Sequence, residues 1–434
     1  MGVCMKSKTS LVVVPLMLVL QSAVIAEEEV KQSWFGDVIP PVHGFLEYGH
    51  GIRTQSDDRQ KHGTIYHETR LQLEMFKRFS AFDIQLKNDI TYDAWKGTAE
   101  YDLREAYSAM YPLDWLDMKV GRQILTWGTG DFVFINDLFP KDWQSFFIGR
   151  DDEYLKAPSD AVRTIFYPVV FDQDVTVDFV WMPYFQHDRF VTGERISYYN
   201  TLLDDKAGFK NQVHYEEPDR TFENSVFALR LSKNFSGTET ALYFYKGFYP
   251  RPLGFDMEAW RSVFPELNVY GGSIRRSVLG GIGNVEVGYY DSQDDAHGDD
   301  PLIENSAFKG VVGYTRELKR DLSLGLQYYW EYMSDYDDYR SAVAVHETRA
   351  DELRQLATVR LTQLMMMQTL KVSLFTFYSP TDEDAYLRPS VSYKWSDNVE
   401  LYAGGNVFLG REEHTFFGQL EDNTNMFFRI RYSF

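Results

Sequence analysis

The chain is poor in cysteine, in basic residues and in long apolar runs. Its one cysteine, Cys4, stands before the first apolar stretch of the 434 residues. Disulfides, thiolate nucleophiles and thiolate-bound zinc are therefore excluded for everything that follows it. Lys and Arg total 44 against 64 Asp and Glu, a formal net charge of -20. That balance argues against nucleic acid, whose binders place basic patches on phosphate. After residue 26 no run approaches the ~18 uncharged apolar residues that a membrane-spanning helix needs. Catalytic signatures are missing too: the sequence has no Walker loop, no H-E-x-x-H and no G-x-S-x-G. His-Glu-Thr-Arg occurs at His67–Arg70 and again at His346–Arg349, each time without the second histidine of a zinc helix. Nothing places a serine beside His50, His67 or His214. These absences point away from an enzyme, and no catalytic residue or cofactor is expected.

Aromatics, by contrast, make up 16% of the chain, with 29 Tyr and 32 Phe. The first segment reads as an export signal. Lys6 and Lys8 precede the apolar stretch Leu11 to Leu20, and Val24-Ile25-Ala26 supplies compact residues at a cleavage spacing before Glu27-Glu28-Glu29. The expected organisation is a signal peptide at 1–26, a periplasmic tail at 27–42 and one domain at 43–434.

That domain alternates with period two. Phe82, Ile84, Leu86, Ile90 and Tyr92 interleave with Asp83, Gln85, Lys87, Asp89 and Asp93. Such a segment is a strand with one dry face and one wet face. Leu71, Leu73 and Met75 do the same against Arg70, Gln72 and Glu74, with a tight turn near Ser80-Ala81 between the two runs. About eighteen such strands can be counted, with sixteen as the alternative. Short turns at Ser236-Gly237, Lys319-Arg320 and Ser396-Asp397 alternate with long polar segments at 129–159, 186–222, 249–267, 292–305, 334–350 and 411–423. The expected fold is all-β: a single transmembrane antiparallel up-and-down barrel with short periplasmic turns and long external loops. In a barrel only alternate residues meet lipid, so a polar average is no obstacle, and the aromatics serve as interfacial girdles.

The last ten residues carry the sharpest motif. Met426, Phe428, Ile430, Tyr432 and Phe434 share one face, and Arg429, Arg431 and Ser433 the other. This resembles the terminal strand of bacterial outer-membrane proteins. The resemblance implies that Phe428, Ile430, Tyr432 and Phe434 are read by the barrel-assembly machinery. The run Leu103-Arg104-Glu105-Ala106-Tyr107, followed by Val120-Gly121-Arg122-Gln123 and Trp127-Gly128, is similar to a poorly characterised group of porin-like barrels related to the alginate-export type. The stretch from Leu387-Arg388-Pro389 onward has the same cadence. The resemblance implies an outer-membrane location and leaves the solute and its direction open.

A barrel of this size is too wide to be filled by its own wall side chains. Parity places Arg70, Glu74, Asp83, Lys87, Asp89, Arg230, Arg354, Arg360, Arg429 and Arg431 inward. These are candidate selectivity residues, or equally a cross-strand ion-pair ladder that stiffens the wall. Arg122 shares parity with Val120 and Ile124 and would face lipid, so either a bulge at Gly121 changes its side or it lies at the rim; the bulge is the favoured reading. The 129–159 segment holds too many aromatics for a solvated loop. It either enters the lumen, where Lys141, Arg150, Asp151 and Asp152 would line the narrowest point, or packs on the external rim or a neighbouring protomer. Acidic clusters at Asp294-Asp295, Asp299-Asp300 and Asp335 to Asp338 match no complete calcium loop, although Ca²⁺ or Mg²⁺ there could bridge to lipopolysaccharide. Outer-membrane lipid, lipopolysaccharide and the assembly machinery are the expected partners, and oligomeric state is left open. The function expected is a porin-like channel for small hydrophilic solutes, with a dedicated exporter of anionic polysaccharide as the alternative. Deleting Phe434 is expected to slow barrel assembly in cells, read as a drop in the heat-modifiable folded band on an unheated gel.

Overall fold

The computed structural model describes residues 40–170, 173–343 and 349–434. The signal segment, most of the expected tail and His346 lie outside them. Eighteen strands form one closed sheet. Numbered along the barrel they are β1 Val42–Arg53, β2 Thr64–Arg78, β3 Phe82–Asp93, β4 Thr98–Leu113, β5 Leu116–Ile124, β6 Pro158–Phe166, β7 Thr176–Met182, β8 Val226–Phe235 and β9 Thr238–Phe248. The second half comprises β10 Glu266–Val278, β11 Gly281–Ser292, β12 Ala307–Lys319, β13 Leu322–Met333, β14 Leu353–Met365, β15 Leu370–Ser379, β16 Asp384–Lys394, β17 Val399–Leu409 and β18 Asn425–Ser433. Each strand pairs antiparallel with the next. Closure is made by β18 on β1, with Arg431 opposite Glu47 and Ile430 opposite Tyr48. Gly44 and Phe434 exchange two backbone hydrogen bonds of 3.0 Å at the seam. The terminal phenylalanine thus ends the ladder that removes the last sheet edge.

The outer face is apolar. Ile84, Leu242, Ile274, Val285, Val287, Val312, Val359, Val391 and Ile430 are all exposed on it. Aromatics gather toward the strand ends, with Phe79, Trp115, Phe235 and Trp395 at the short turns and Tyr92, Phe308 and Tyr378 toward the long loops. Exposed apolar surface on this scale is stable against hydrocarbon and not against water.

Connections at 79–81, 114–115, 236–237, 279–280, 320–321 and 395–398 are tight, while 125–157 and 183–225 at the other end are the longest. The alternation has exceptions: 94–97 and 380–383 are short at the long-loop end. Among the described residues α-helix is confined to loops, as α1 Trp143–Ile148 and α2 Tyr336–Ala342.

The expected bulge at Gly121 is absent. Pairing of β4 with β5 runs unbroken through it, with Ala106 opposite Arg122 and Tyr107 opposite Gly121. Gly121 does take φ +124, and a Cβ there would stand 2.3 Å from the Ala106 carbonyl oxygen. The glycine therefore admits a close backbone approach without a change of side. Arg122 stays on the outer face, near the end of β5, where it bonds Asp160 at 3.0 Å and the Leu103 carbonyl at 2.6 Å. A charge at the rim with a partner avoids the penalty it would meet at mid-bilayer. The bulge lies one strand away, where Arg104 is the extra residue between Leu103 and Glu105 facing Asn88 and Lys87.

Depth should decide the cost of a charge on this face. Val287→Arg, in the middle of β11, is expected to destabilise the barrel by ~2–4 kcal/mol, and Val278→Arg at the end of β10 by ~0–1 kcal/mol. Urea-dependent unfolding from vesicles would check the ordering.

Candidate functional site: the plugged lumen

The 125–157 connection does not project outward. It folds into the barrel, so the rim and neighbouring-protomer readings of this segment fall away. Its aromatics supply the reason. Val133, Ile135, Leu138, Phe139, Phe146, Phe147 and Ile148 are all buried in one cluster with Phe375, Phe377, Tyr386, Phe408 and Phe427 of the wall. Asp142 caps α1 by accepting the Ser145 N–H at 2.7 Å, and Gly149 ends it at φ +93. A Cβ at Gly149 would lie 2.3 Å from the Phe427 ring, so the turn can seat against β18 only with glycine there.

Polar contacts fasten the plug at both ends. Glu286 of β11, which is 1% exposed, accepts four hydrogen bonds. The Thr129 N–H (2.6 Å) and hydroxyl (2.9 Å) supply two, and the Asn136 N–H (2.9 Å) and carboxamide (3.0 Å) the others. Asp131 receives the Arg360 guanidinium at 2.5 and 2.8 Å. At the far end Arg150 meets Glu68 at 2.5 and 3.0 Å, Asp152 meets Arg388 at 2.8 Å, and Asp151 meets Arg429 at 2.9 Å and Arg431 at 3.4 Å. The Asn406 and Asn425 amides donate to the Phe147 carbonyl at 2.9 and 3.1 Å. Burial would raise the Asp151 carboxyl, but Arg429 and Arg431 override it and hold the group below the usual carboxylate range.

The 183–225 loop braces the plug from above. Asp188 accepts the Lys141 N–H at 2.8 Å and the Trp143 indole N–H at 2.7 Å, and Arg189 bonds Asp102 of β4 at 2.8 and 3.1 Å. Burial pushes the Asp188 carboxyl up to about 6 against the opposing pull of Lys141. Arg195 reaches Asp93 and, at 3.3 Å, Glu68.

The predicted inward residues do project into this space. Arg70 bonds Asp89 at 2.6 Å, Lys87 lies 3.4 Å from Glu153, Glu74 accepts from Gln85 at 2.8 Å, and Asp83 meets Arg78 at 3.2 Å. Arg354 bonds Asp382 at 2.8 Å, and Arg230 stands opposite Asp178 and Tyr243. Of the predicted constriction residues, Asp151 and Asp152 face open space. Arg150 is committed to Glu68, and Lys141 to Asp137 at 3.0 Å within the loop, with its ammonium 4.8 Å from the centre of the Phe134 ring.

Among the described residues, two cavities lie on either side of Phe132. The one toward the short turns holds about 220 Å³ and is bordered by Asp151, Asp152, Arg360, Arg388, Arg429 and Arg431. The one above holds about 200 Å³, with Lys309, Glu331 and Arg354 in its wall. Phe132 borders both. Its backbone is left-handed at φ +58, an uncommon conformation for a bulky residue. Its ring centre is 4.7 Å from the Arg360 guanidinium and 5.3 Å from that of Arg388. Phe132 is thus the partition between two charged chambers.

Glu286, Glu68, Glu47 and Arg388 were not singled out from sequence, nor was the dry inner wall at Phe375 and Phe377. The run Val372-Ser373-Leu374-Phe375-Thr376-Phe377 holds a signal, since rings stand on the face opposite Val372 and Leu374. A strand with apolar residues at both parities has something apolar on both sides.

No protein-family model matches the chain, and no curated protein does. Solved structures match at the level of fold. The Acinetobacter baumannii protein OccAB3 superposes with a TM-score of 0.54 at 9% identity, over 91% of this chain and 98% of that one. Pseudomonas aeruginosa OccD3 (OpdP) follows at 0.48 and 9% identity, over 91% of each chain. A mutant of the Rhodopseudomonas blastica porin gives 0.40 and 11%, over 91% of this chain and 99% of that one. The fold comparison rests on the first of these, and what it shares with this chain is the barrel architecture.

Proposed function

We propose that this chain is a bacterial outer-membrane channel that passes small hydrophilic solutes through a charged lumen narrowed by the 125–157 plug. The observation that carries the reading is the pair of charge-lined chambers that share Phe132 as a wall inside a closed barrel. Both signs of charge line them, from Glu47, Asp151 and Asp152 to Arg360, Arg388 and Arg429, which suits a solute-selective pore better than a track for one sign. In this reading Arg360, Arg388, Arg429 and Arg431 with Asp151 and Asp152 set selectivity. The remaining inward pairs, such as Arg70 with Asp89, stiffen the wall. A polysaccharide exporter needs a bore wide enough for a polymer chain, and chambers of about 220 and 200 Å³ favour smaller solutes. Export would begin with removal of residues 1–26, and assembly with recognition of Phe428, Ile430, Tyr432 and Phe434. Lipopolysaccharide would surround the long-loop end.

The test is conductance of the refolded 27–434 chain in planar bilayers under a salt gradient. Small steady openings with a reversal potential of defined sign are expected. Glu286→Ala removes the acceptor of four hydrogen bonds, and at least ~3 kcal/mol of plug docking should go with it. Larger, noisier openings are expected, together with new trypsin cleavage after Lys141 in the intact barrel. Deleting residues 132–150 should give the largest conductance of the series. Silence from that deleted barrel, when it still migrates as folded, would overturn the channel reading.

A further inference from the structure

At the long-loop end, outside the plug, the loops enclose a third and larger cavity of about 570 Å³. That lies within the ~300–1,000 Å³ typical of small-molecule sites. Trp143, Leu253, Phe255, Trp260, Ile303 and Phe416 form much of its wall. Trp260 is 61% exposed. A mouth that merely admits water has no use for such a surface.

Several polar side chains bordering the cavity are bonded within or between the loops that carry them. The Tyr198 hydroxyl donates to the Asn211 carbonyl at 3.1 Å. The Asn200 carboxamide oxygen accepts the Leu202 and Leu203 N–H groups at 3.0 and 3.3 Å. Gln419 accepts the Tyr199 N–H and donates to the Phe416 carbonyl, both at 3.2 Å. The bonds named here hold three of the polar side chains in place, and the rings stand between them. Arg251 is different. Among the described residues it has no carboxylate within ion-pair distance, and its guanidinium lies 5.8 Å from the centre of the Phe416 ring. Glu304, also on the wall, is raised above the usual carboxylate range by burial, with Lys309 and Arg251 pulling it back down from beyond ion-pair distance.

We propose that this mouth cavity binds an amphipathic small molecule, with a compact ring-bearing apolar body against the aromatic wall and one hydrogen-bond-accepting head over Arg251. The proposal concerns binding and stands whether or not the barrel conducts.

The full barrel in lipid nanodiscs would be titrated with 1-naphthol, naphthalene and sucrose, read by saturation-transfer difference NMR against empty discs. 1-Naphthol is expected to bind saturably above the empty-disc signal, and sucrose not at all. Arg251→Met keeps the apolar stem and removes the donors. It should weaken 1-naphthol roughly tenfold, the cost of one charged hydrogen bond, and leave naphthalene unchanged. Ile303→Glu should abolish binding of both. Should that barrel fail to migrate as folded, Trp260→Ala on the exposed wall serves instead and should weaken both rings alike. Binding no greater than to empty discs, displacement by sucrose, or equal loss of 1-naphthol and naphthalene in Arg251→Met would each overturn the proposal.

Discussion

A peptide group in hydrocarbon has no water to fall back on, and each unpaired N–H or C=O there costs several kcal/mol. Everything else in this molecule follows from meeting that demand with strands. Eighteen of them must close, so the last must find the first, and β18 does so on β1 with matched outer and inner faces. Once closed, the sheet exposes only alternate side chains to lipid. The other half of every strand is released from the apolar requirement, which is how a chain of net charge -20 can span a bilayer.

Closure creates a second problem, an interior too wide for wall side chains to fill. The chain answers with loop. The 125–157 segment carries its own hydrophobic core inward and packs it against an inner wall that is aromatic on that side, from Phe375 round to Phe427. The polar anchors then set the position of this core. Buried ion pairs contribute little net stability but are costly to break, so Arg150 with Glu68 and Arg429 with Glu47 and Asp151 act mainly as registration. What the two loops leave open is a pair of small chambers in place of a wide pore.

The strands were legible because alternation is a local signal, and so were the inward faces of Arg70, Asp89 and Arg360. The entry of the plug could be argued from Phe132, Phe146 and Phe147, rings that water would not tolerate. Partnerships could not. Arg150 and Glu68 stand 82 positions apart, and Asp131 and Arg360 stand 229 apart. No period connects residues brought together only when the barrel closes. Arg122 shows the opposite failure. Its local signal was read correctly as outward-facing, and the bulge was invoked to avoid a penalty that Asp160 at the rim already removes.

The two ends of the plug are fastened by different physics. The 129–136 end hangs on Glu286 through neutral donors, helped by the half-exposed pair of Asp131 and Arg360. The 150–153 end relies mostly on charges, several of them open to the lumen. Mobile ions screen exposed pairs far more than buried ones. Added salt therefore weakens the half-exposed pairs at both ends, Asp131 with Arg360 and Asp152 with Arg388, before it reaches Glu68 or Glu286, and the aromatic core keeps the plug in register meanwhile.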